Sequence, residues 1–71
     1  MKLVFKGTNK EVKKGDKLTD FRGETAYAGY FREPTHGEGK ICVAKKKKDL
    51  DDPRESREYY VGVFNLEWVE D

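Results

Sequence analysis

The stretch from Lys14 to Phe31 constrains the fold most, because it carries the pattern of two strands joined by a tight turn. Leu18 lies in an extended run that begins at Gly15, and residues 25–31 are rich in residue types that favour strands. Between the two runs, Gly23 stands where a turn can require a backbone of positive φ. The stretch therefore predicts a β-hairpin at the centre of the chain.

The remaining segments also show strand patterns, and no long stretch has the period of an amphipathic helix. A break in Gly62–Asn65 has the length of one 3₁₀ turn. Further extended runs are predicted at Lys2–Lys6, Lys40–Lys45, Arg57–Val61 and Leu66–Val69.

A chain of 71 residues, of which 35% are hydrophobic and 41% charged, forms one domain with a small core. A compact all-β chain of this length must curl to bury one face and to protect its sheet edges. We therefore predict an all-β fold, a small and strongly bent antiparallel barrel of roughly five to six strands with a short 3₁₀ turn before the last strand. The single domain covers residues 1–71, with an N-terminal hairpin at 1–12, the barrel at 14–69 and an exposed loop at 46–56.

Alternation along the strands divides the side chains between a buried and an exposed face. The predicted core comprises Leu3, Phe5, Val12, Leu18, Ala26, Ala28, Tyr30, Ile41, Val43, Tyr59, Val61, Phe64, Leu66 and Trp68. The same alternation turns Tyr27, Phe31 and Tyr60 outward, unless a β-bulge at Gly29 resets the strand.

The net charge is only +1, but the charges are distributed unevenly along the chain. Residues 1–17 and 40–48 are strongly basic, whereas residues 18–39 and 49–71 carry an excess of acids. A basic patch results if the fold separates the basic from the acidic segments. If the fold pairs them as neighbouring strands, the charges largely cancel.

Motifs for catalysis or metal binding are weak. The segment that starts at His36 is rich in glycine, but Pro34 and Ile41 stand where a phosphate-binding loop needs Gly and Ser or Thr. A structural zinc site needs about four ligands, and the chain offers His36 and a single cysteine, Cys42. Ser56 lies in a charged segment that would not exclude water. The sequence therefore predicts no enzyme, no metal and no cofactor.

The single cysteine favours a reducing, cytoplasmic compartment over a secreted one. The apolar run near the start, Leu3–Phe5, is too short for a membrane span, so no membrane role is predicted.

Aromatic and basic residues give the strongest functional signal. Outward rings flanked by arginines suit a protein partner, whose interfaces favour Tyr, Phe and Arg. They also suit single-stranded nucleic acid, with Lys45, Lys46, Lys47 and Lys48 as an electrostatic guide. A third interpretation is structural, with the rings covering the barrel itself. Because the total charge is near neutral, a protein partner is favoured over nucleic acid. The predicted binding residues are Tyr27, Phe31, Tyr60, Arg22, Arg32 and Arg57.

Two resemblances add to this interpretation. The order of strands, with Lys14–Asp16 before the first barrel strand and a 3₁₀ break before the last, resembles the Src homology 3-like barrel of many binding modules. A narrower likeness, over residues 12–69, rests on the segments Arg32-Glu33-Pro34, Gly39-Lys40, Val43, Arg57-Glu58-Tyr59-Tyr60 and Val63-Phe64-Asn65-Leu66-Glu67-Trp68. These segments resemble small, uncharacterised phage and prophage proteins. The resemblance implies a barrel fold and a phage-type accessory protein, without implying an activity.

Overall fold

The computed structural model describes residues 1–35 and 37–70. Over these residues the chain forms strands and short 3₁₀ helices but no α-helix, so the predicted all-β class is confirmed. Within residues 1–35 and 37–70, no helix has the length and apolar character needed to cross a bilayer. The strands are β1 (Lys2–Phe5), β2 (Lys17–Thr19), β3 (Thr25–Phe31), β4 (Lys40–Ala44), β5 (Ser56–Tyr60) and β6 (Leu66–Val69). The 3₁₀ helices are Lys47–Asp49 and Val61–Phe64.

The strands pair into two antiparallel sheets, one of four strands in the order β2-β3-β4-β5 and one of two strands, β1-β6. The predicted central hairpin is the pair β2 and β3, in which Leu18 lies opposite Ala26. Its turn is held by Asp20, whose Oδ1 accepts hydrogen bonds from the backbone N–H groups of Arg22 and Glu24, both at 2.9 Å. Gly23 has φ +83°, as the turn pattern predicts.

The N-terminal strand pairs with the C-terminal one, so that Leu3 lies opposite Trp68 and Phe5 opposite Leu66. The chain then turns and returns along β1, where the Val12 N–H donates to the Leu3 carbonyl at 2.9 Å. The side chains of Leu3, Val12 and Leu66 are all buried in the core. The two ends of the described chain are therefore joined through backbone pairing and a shared core.

A β-bulge interrupts β3 where it pairs with β4. Ala28 lies opposite Val43 and Phe31 opposite Ile41, so Gly29 and Tyr30 together face the single residue Cys42. The extra residue reverses the alternation beyond Ala28. Tyr30 is consequently 71% exposed, and Phe31 packs against the core.

The core differs from its prediction at the aromatic residues. Tyr30 and Tyr59 were expected inside, but the bulge turns Tyr30 outward and the edge position of β5 leaves Tyr59 43% exposed. Phe5 and Trp68 are only partly buried. The buried hydrophobic residues are Leu3, Val4, Val12, Leu18, Ala26, Ala28, Ile41, Val43, Ala44, Val61, Phe64 and Leu66, of which Val4 and Ala44 were not predicted.

The segment between β4 and β5, predicted to be an exposed loop at 46–56, is exposed at most of its positions and lies against the sheet at Leu50. Its 3₁₀ helix is followed by Leu50, which is half-buried and lies so close to Gly29 that a Cβ there would be 3.3 Å from Leu50 Cδ2. The Lys14 ammonium forms an ion pair with Asp51, with Nζ 2.8 Å from Oδ1. The segment therefore covers the face of β3 that lies opposite to the core.

Gly29 is predicted to be intolerant of a side chain. A Cβ at this position would lie 2.8 Å from the Cys42 carbonyl oxygen, which belongs to the backbone of β4 and cannot swing away. Gly29→Ala is expected to lower the free energy of unfolding by about 1–3 kcal/mol, measured by urea denaturation. Gly62→Ala is the matched control, because its Cβ would meet only the flexible Glu38 carboxylate, 2.9 Å away. Equal losses in both variants would contradict this account of the bulge.

Candidate functional site

The predicted binding residues are spread over the molecule. Arg22 lies in the β2-β3 turn, with its guanidinium carbon 5.4 Å from the ring centre of Phe21. Tyr27 is half-buried in β3, opposite both Lys17 and Ala44. These positions lie at the turn end of β3, whereas Arg32 follows its other end.

Two further predicted residues lie on β5, the edge strand. Tyr60 is 57% exposed and pairs with Lys40, whose Nζ lies 5.2 Å from the centre of the Tyr60 ring. The Arg57 guanidinium donates from Nη1 to the carbonyls of Arg54 and Ser56, both at 3.0 Å. Arg57 therefore uses part of its hydrogen-bonding capacity to hold the start of its own strand.

Phe31 was predicted to point outward unless a β-bulge reset the strand at Gly29. The bulge is present, and it turns the Phe31 ring toward the core. There it packs edge-on against Trp68, with ring centres 6.1 Å apart and an angle of 64° between the planes. Both rings are only half-buried. The structure thus joins a predicted site residue to a predicted core residue at the protein surface.

These rings form part of an open cleft of about 340 Å³ that we call the Trp68 cleft. Its apolar lining consists of a floor, the buried Leu3 and Val12, and the rings of Phe31 and Trp68. Its charged rim comprises Lys2, Glu11, Lys13, Arg32 and Glu33, next to Met1. The cleft brings together two predicted binding residues, Phe31 and Arg32.

Backbone pairing and one hydrogen bond fix the Trp68 ring. Strand β1 places Leu3 opposite Trp68, and the indole N–H donates to the Glu38 carbonyl at 2.7 Å. Because this hydrogen bond holds the edge of the indole, the orientation of the Trp68 ring in the Trp68 cleft is fixed before any ligand binds.

The rim of the Trp68 cleft is net positive. The N-terminal ammonium of Met1 forms an ion pair with Glu33, which compensates that carboxylate. Lys2, Lys13 and Arg32 form no ion pair with any residue in the described part of the chain. Three unpaired cations therefore share the rim with the carboxylate of Glu11.

A second open cleft of about 540 Å³ shares Met1 and Trp68 with the Trp68 cleft. Its carboxylates already serve the backbone: Glu38 Oε1 accepts from the Gly62 N–H at 3.0 Å, and Glu67 Oε2 accepts from the Gly7 N–H at 2.9 Å. This second cleft therefore offers fewer uncommitted polar groups than the Trp68 cleft.

The other residues singled out in the sequence lie away from the Trp68 cleft. Lys45, Lys46, Lys47 and Lys48 are all exposed, and the first 3₁₀ helix begins within them. Cys42 is a half-buried free thiol in β4. His36, considered as a metal ligand, lies outside the described residues.

Sequence reasoning missed Lys2, Lys13 and Trp68 as parts of the site. Trp68 was assigned to the core on the alternation of β6, and nothing local places Lys2 or Lys13 beside it. The pairing of β1 with β6 brings Lys2 beside Trp68. Lys13 arrives because residues 11 and 12 pair with β1, through the Val4–Glu11 bridge and the Val12 N–H bond to the Leu3 carbonyl.

We predict that Trp68→Phe destabilises the protein, because it removes the indole donor and leaves the Glu38 carbonyl without that partner. The expected loss is about 1 kcal/mol of unfolding free energy, measured by urea denaturation followed by circular dichroism. Tyr60→Phe serves as the control, since the Tyr60 hydroxyl forms no hydrogen bond with the described residues. A Trp68→Phe variant as stable as Tyr60→Phe would show that the hydrogen bond does not hold the ring.

Comparisons with protein families, with curated proteins and with solved structures found no match to this chain. The resemblances to phage proteins and to the Src homology 3-like barrel therefore stay predictions from the sequence.

Proposed function

We propose that this protein is a non-enzymatic binding module whose Trp68 cleft holds an acidic segment of a protein partner. The observation that carries the proposal is the half-buried pair of Phe31 and Trp68 beneath a net positive rim. Protein interfaces draw most of their affinity from such central aromatic anchors, surrounded by a polar rim.

The apolar part of the cleft suits one or two side chains of a partner. Leu3 and Val12 are 2% and 4% exposed and form a closed floor, while the two rings keep part of their surface open. A volume of about 340 Å³ lies at the lower end of the range for ligand sites. A leucine-sized side chain would cover the exposed ring surface and exclude water from it.

The charged part of the cleft determines which sign of charge a bound segment must carry. Arg32 presents a planar guanidinium that can bind a carboxylate through two hydrogen bonds, and Lys2 and Lys13 add flexible cations. A basic segment would meet like charges at all three positions. The cleft therefore favours a segment in which carboxylates flank an apolar residue.

Stacking of single-stranded nucleic acid receives less support at this site. Successive bases need a row of open ring faces. Phe31 turns inward, and Tyr27 and Tyr60 lie on different strands toward different ends of the sheet.

The same proposal includes the type of barrel and the cellular setting of the protein. The pairing of β1 with β6 and the 3₁₀ helix before β6 support a Src homology 3-like barrel. The single cysteine, Cys42, supports a reducing, cytoplasmic compartment. The phage-type accessory role is supported only by the likeness of the sequence segments given above.

The proposal predicts that an acidic peptide binds and that Arg32 controls its affinity. The probe is a fluorescein-labelled peptide in which Glu and Asp residues flank a single Leu, followed by fluorescence anisotropy. Arg32→Glu is expected to weaken binding roughly tenfold or more, since a charge-assisted hydrogen bond contributes about 1.5–3 kcal/mol. Arg22→Glu is the matched control, because it makes the same charge change in the β2-β3 turn.

Two results would contradict the proposal. One is an equal loss of affinity in both arginine variants, which would indicate a general effect of net charge. The other is equally tight binding of a peptide in which lysines replace the acids.

A further inference from the structure

Two lysine-rich segments that are far apart in the sequence lie side by side in the fold. Strand β3 lies between β2 and β4, with Lys17 opposite Tyr27 and Tyr27 opposite Ala44. Neighbouring strands are about 4.8 Å apart, so the backbones of Lys17 and Ala44 are separated by roughly 10 Å. Lys45 directly follows Ala44 along the chain.

Contacts between the two segments bring their side chains closer still. The Lys47 side chain passes over Gly15, where a Cβ would lie 3.0 Å from Lys47 Cε. Beside it, Lys14 Nζ lies 2.8 Å from Asp51 Oδ1 in the segment that covers the sheet. We call this surface the lysine face; it comprises Lys14, Lys17, Lys45, Lys46, Lys47 and Lys48, all of which are exposed.

The lysine face keeps a net positive charge. Lys14 is compensated by Asp51, but the other five lysines form no ion pair with the residues that the structure describes. Nearby Asp16 is half-buried, and its carboxylate accepts a hydrogen bond from the Lys13 backbone N–H at 2.9 Å. Asp49 lies in the same 3₁₀ helix as Lys47 and Lys48. With Asp16, Asp49 and Asp51 set against its six lysines, this surface keeps a net charge of +3, although the whole chain carries only +1.

We propose that the lysine face docks the phosphate backbone of a nucleic acid. The phosphate backbone requires only closely spaced cations, because binding is driven by the release of its counterions. Lysine acts as a flexible point charge without base-specific geometry, so the contact is independent of sequence. The lysine face shares no residue with the Trp68 cleft, although its Lys14 directly follows Lys13 of the cleft rim. This inference does not rest on the function proposed for that cleft.

A protein partner fits the lysine face less well. Protein interfaces need apolar anchors near their centre. The large hydrophobic side chains that are exposed in the described chain all belong to other segments: Met1, Phe21, Tyr30, Tyr59 and Tyr60. The aromatic ring of the neighbouring strand, Tyr27, is half-buried. The lysine face therefore offers positive charge but no large exposed apolar side chain of its own.

The test measures the anisotropy of a short fluorescein-labelled DNA duplex at salt concentrations from about 50 to about 200 mM. Lys46→Gln/Lys48→Gln is expected to lower the affinity at low salt and to reduce the slope of log K against log salt by about two, one for each lost phosphate contact. The matched control, Lys6→Gln/Lys10→Gln, removes the same charge outside the lysine face and leaves the slope unchanged.

Three results would overturn the inference. The first is no binding of the duplex at low salt. The second is an equal change in both double variants. The third is tighter binding of polyglutamate, or of phosphatidylserine vesicles, at equal anionic charge, which would assign the face to an acidic protein or a membrane surface. The acidic-peptide assay on Lys46→Gln/Lys48→Gln is expected to be unchanged, so failure here is distinguishable from failure of the cleft proposal.

Discussion

The bulge in β3 decides which face of the sheet is reached by the side chains at the end of that strand, Tyr30 and Phe31. Two residues, Gly29 and Tyr30, occupy the space opposite Cys42, and this single insertion reverses the alternation of the strand. Phe31 reaches Trp68 and Arg32 reaches the rim of the cleft only because of that reversal. Gly29 permits it, since any Cβ would collide with the backbone of β4. One position without a side chain thus determines both the core boundary and the candidate site.

The candidate site and the fold share the same residues at that boundary. Leu3 and Val12 belong to the buried core and also form the floor of the Trp68 cleft. A domain of 71 residues buries too little surface to keep its core and its binding surface apart. Phe31 and Trp68 are therefore neither fully buried nor fully exposed: their inner edges stabilise the fold, and their outer surface is left for a ligand.

Local patterns predicted most of the strands, because each strand and turn carries its own residue preferences. Gly23 adopts the expected positive φ, and the final strand coincides with its predicted limits, Leu66–Val69. The failures involve information that is not local. The predicted burial of Tyr30 was wrong because the sequence allowed a bulge without requiring one. The predicted burial of Tyr59 was wrong because nothing in its segment identifies β5 as an edge strand. Lys2 joins the site only through the pairing of β1 with β6.

The arrangement of charge carries information that the total charge does not. Segments of opposite sign do pair in part: β1 lies beside β6 and β4 beside β5, where Lys40 Nζ is 3.8 Å from Glu58 Oε1. Away from these pairs, the fold sets Lys17 and the Lys45–Lys48 segment on either side of Tyr27 and lays Lys47 across Gly15. Neighbouring like charges oppose folding, and the ion pair of Lys14 with Asp51 offsets only part of that repulsion. An anionic ligand would offset the remaining repulsion between the lysines, so its binding at the lysine face would also stabilise the fold.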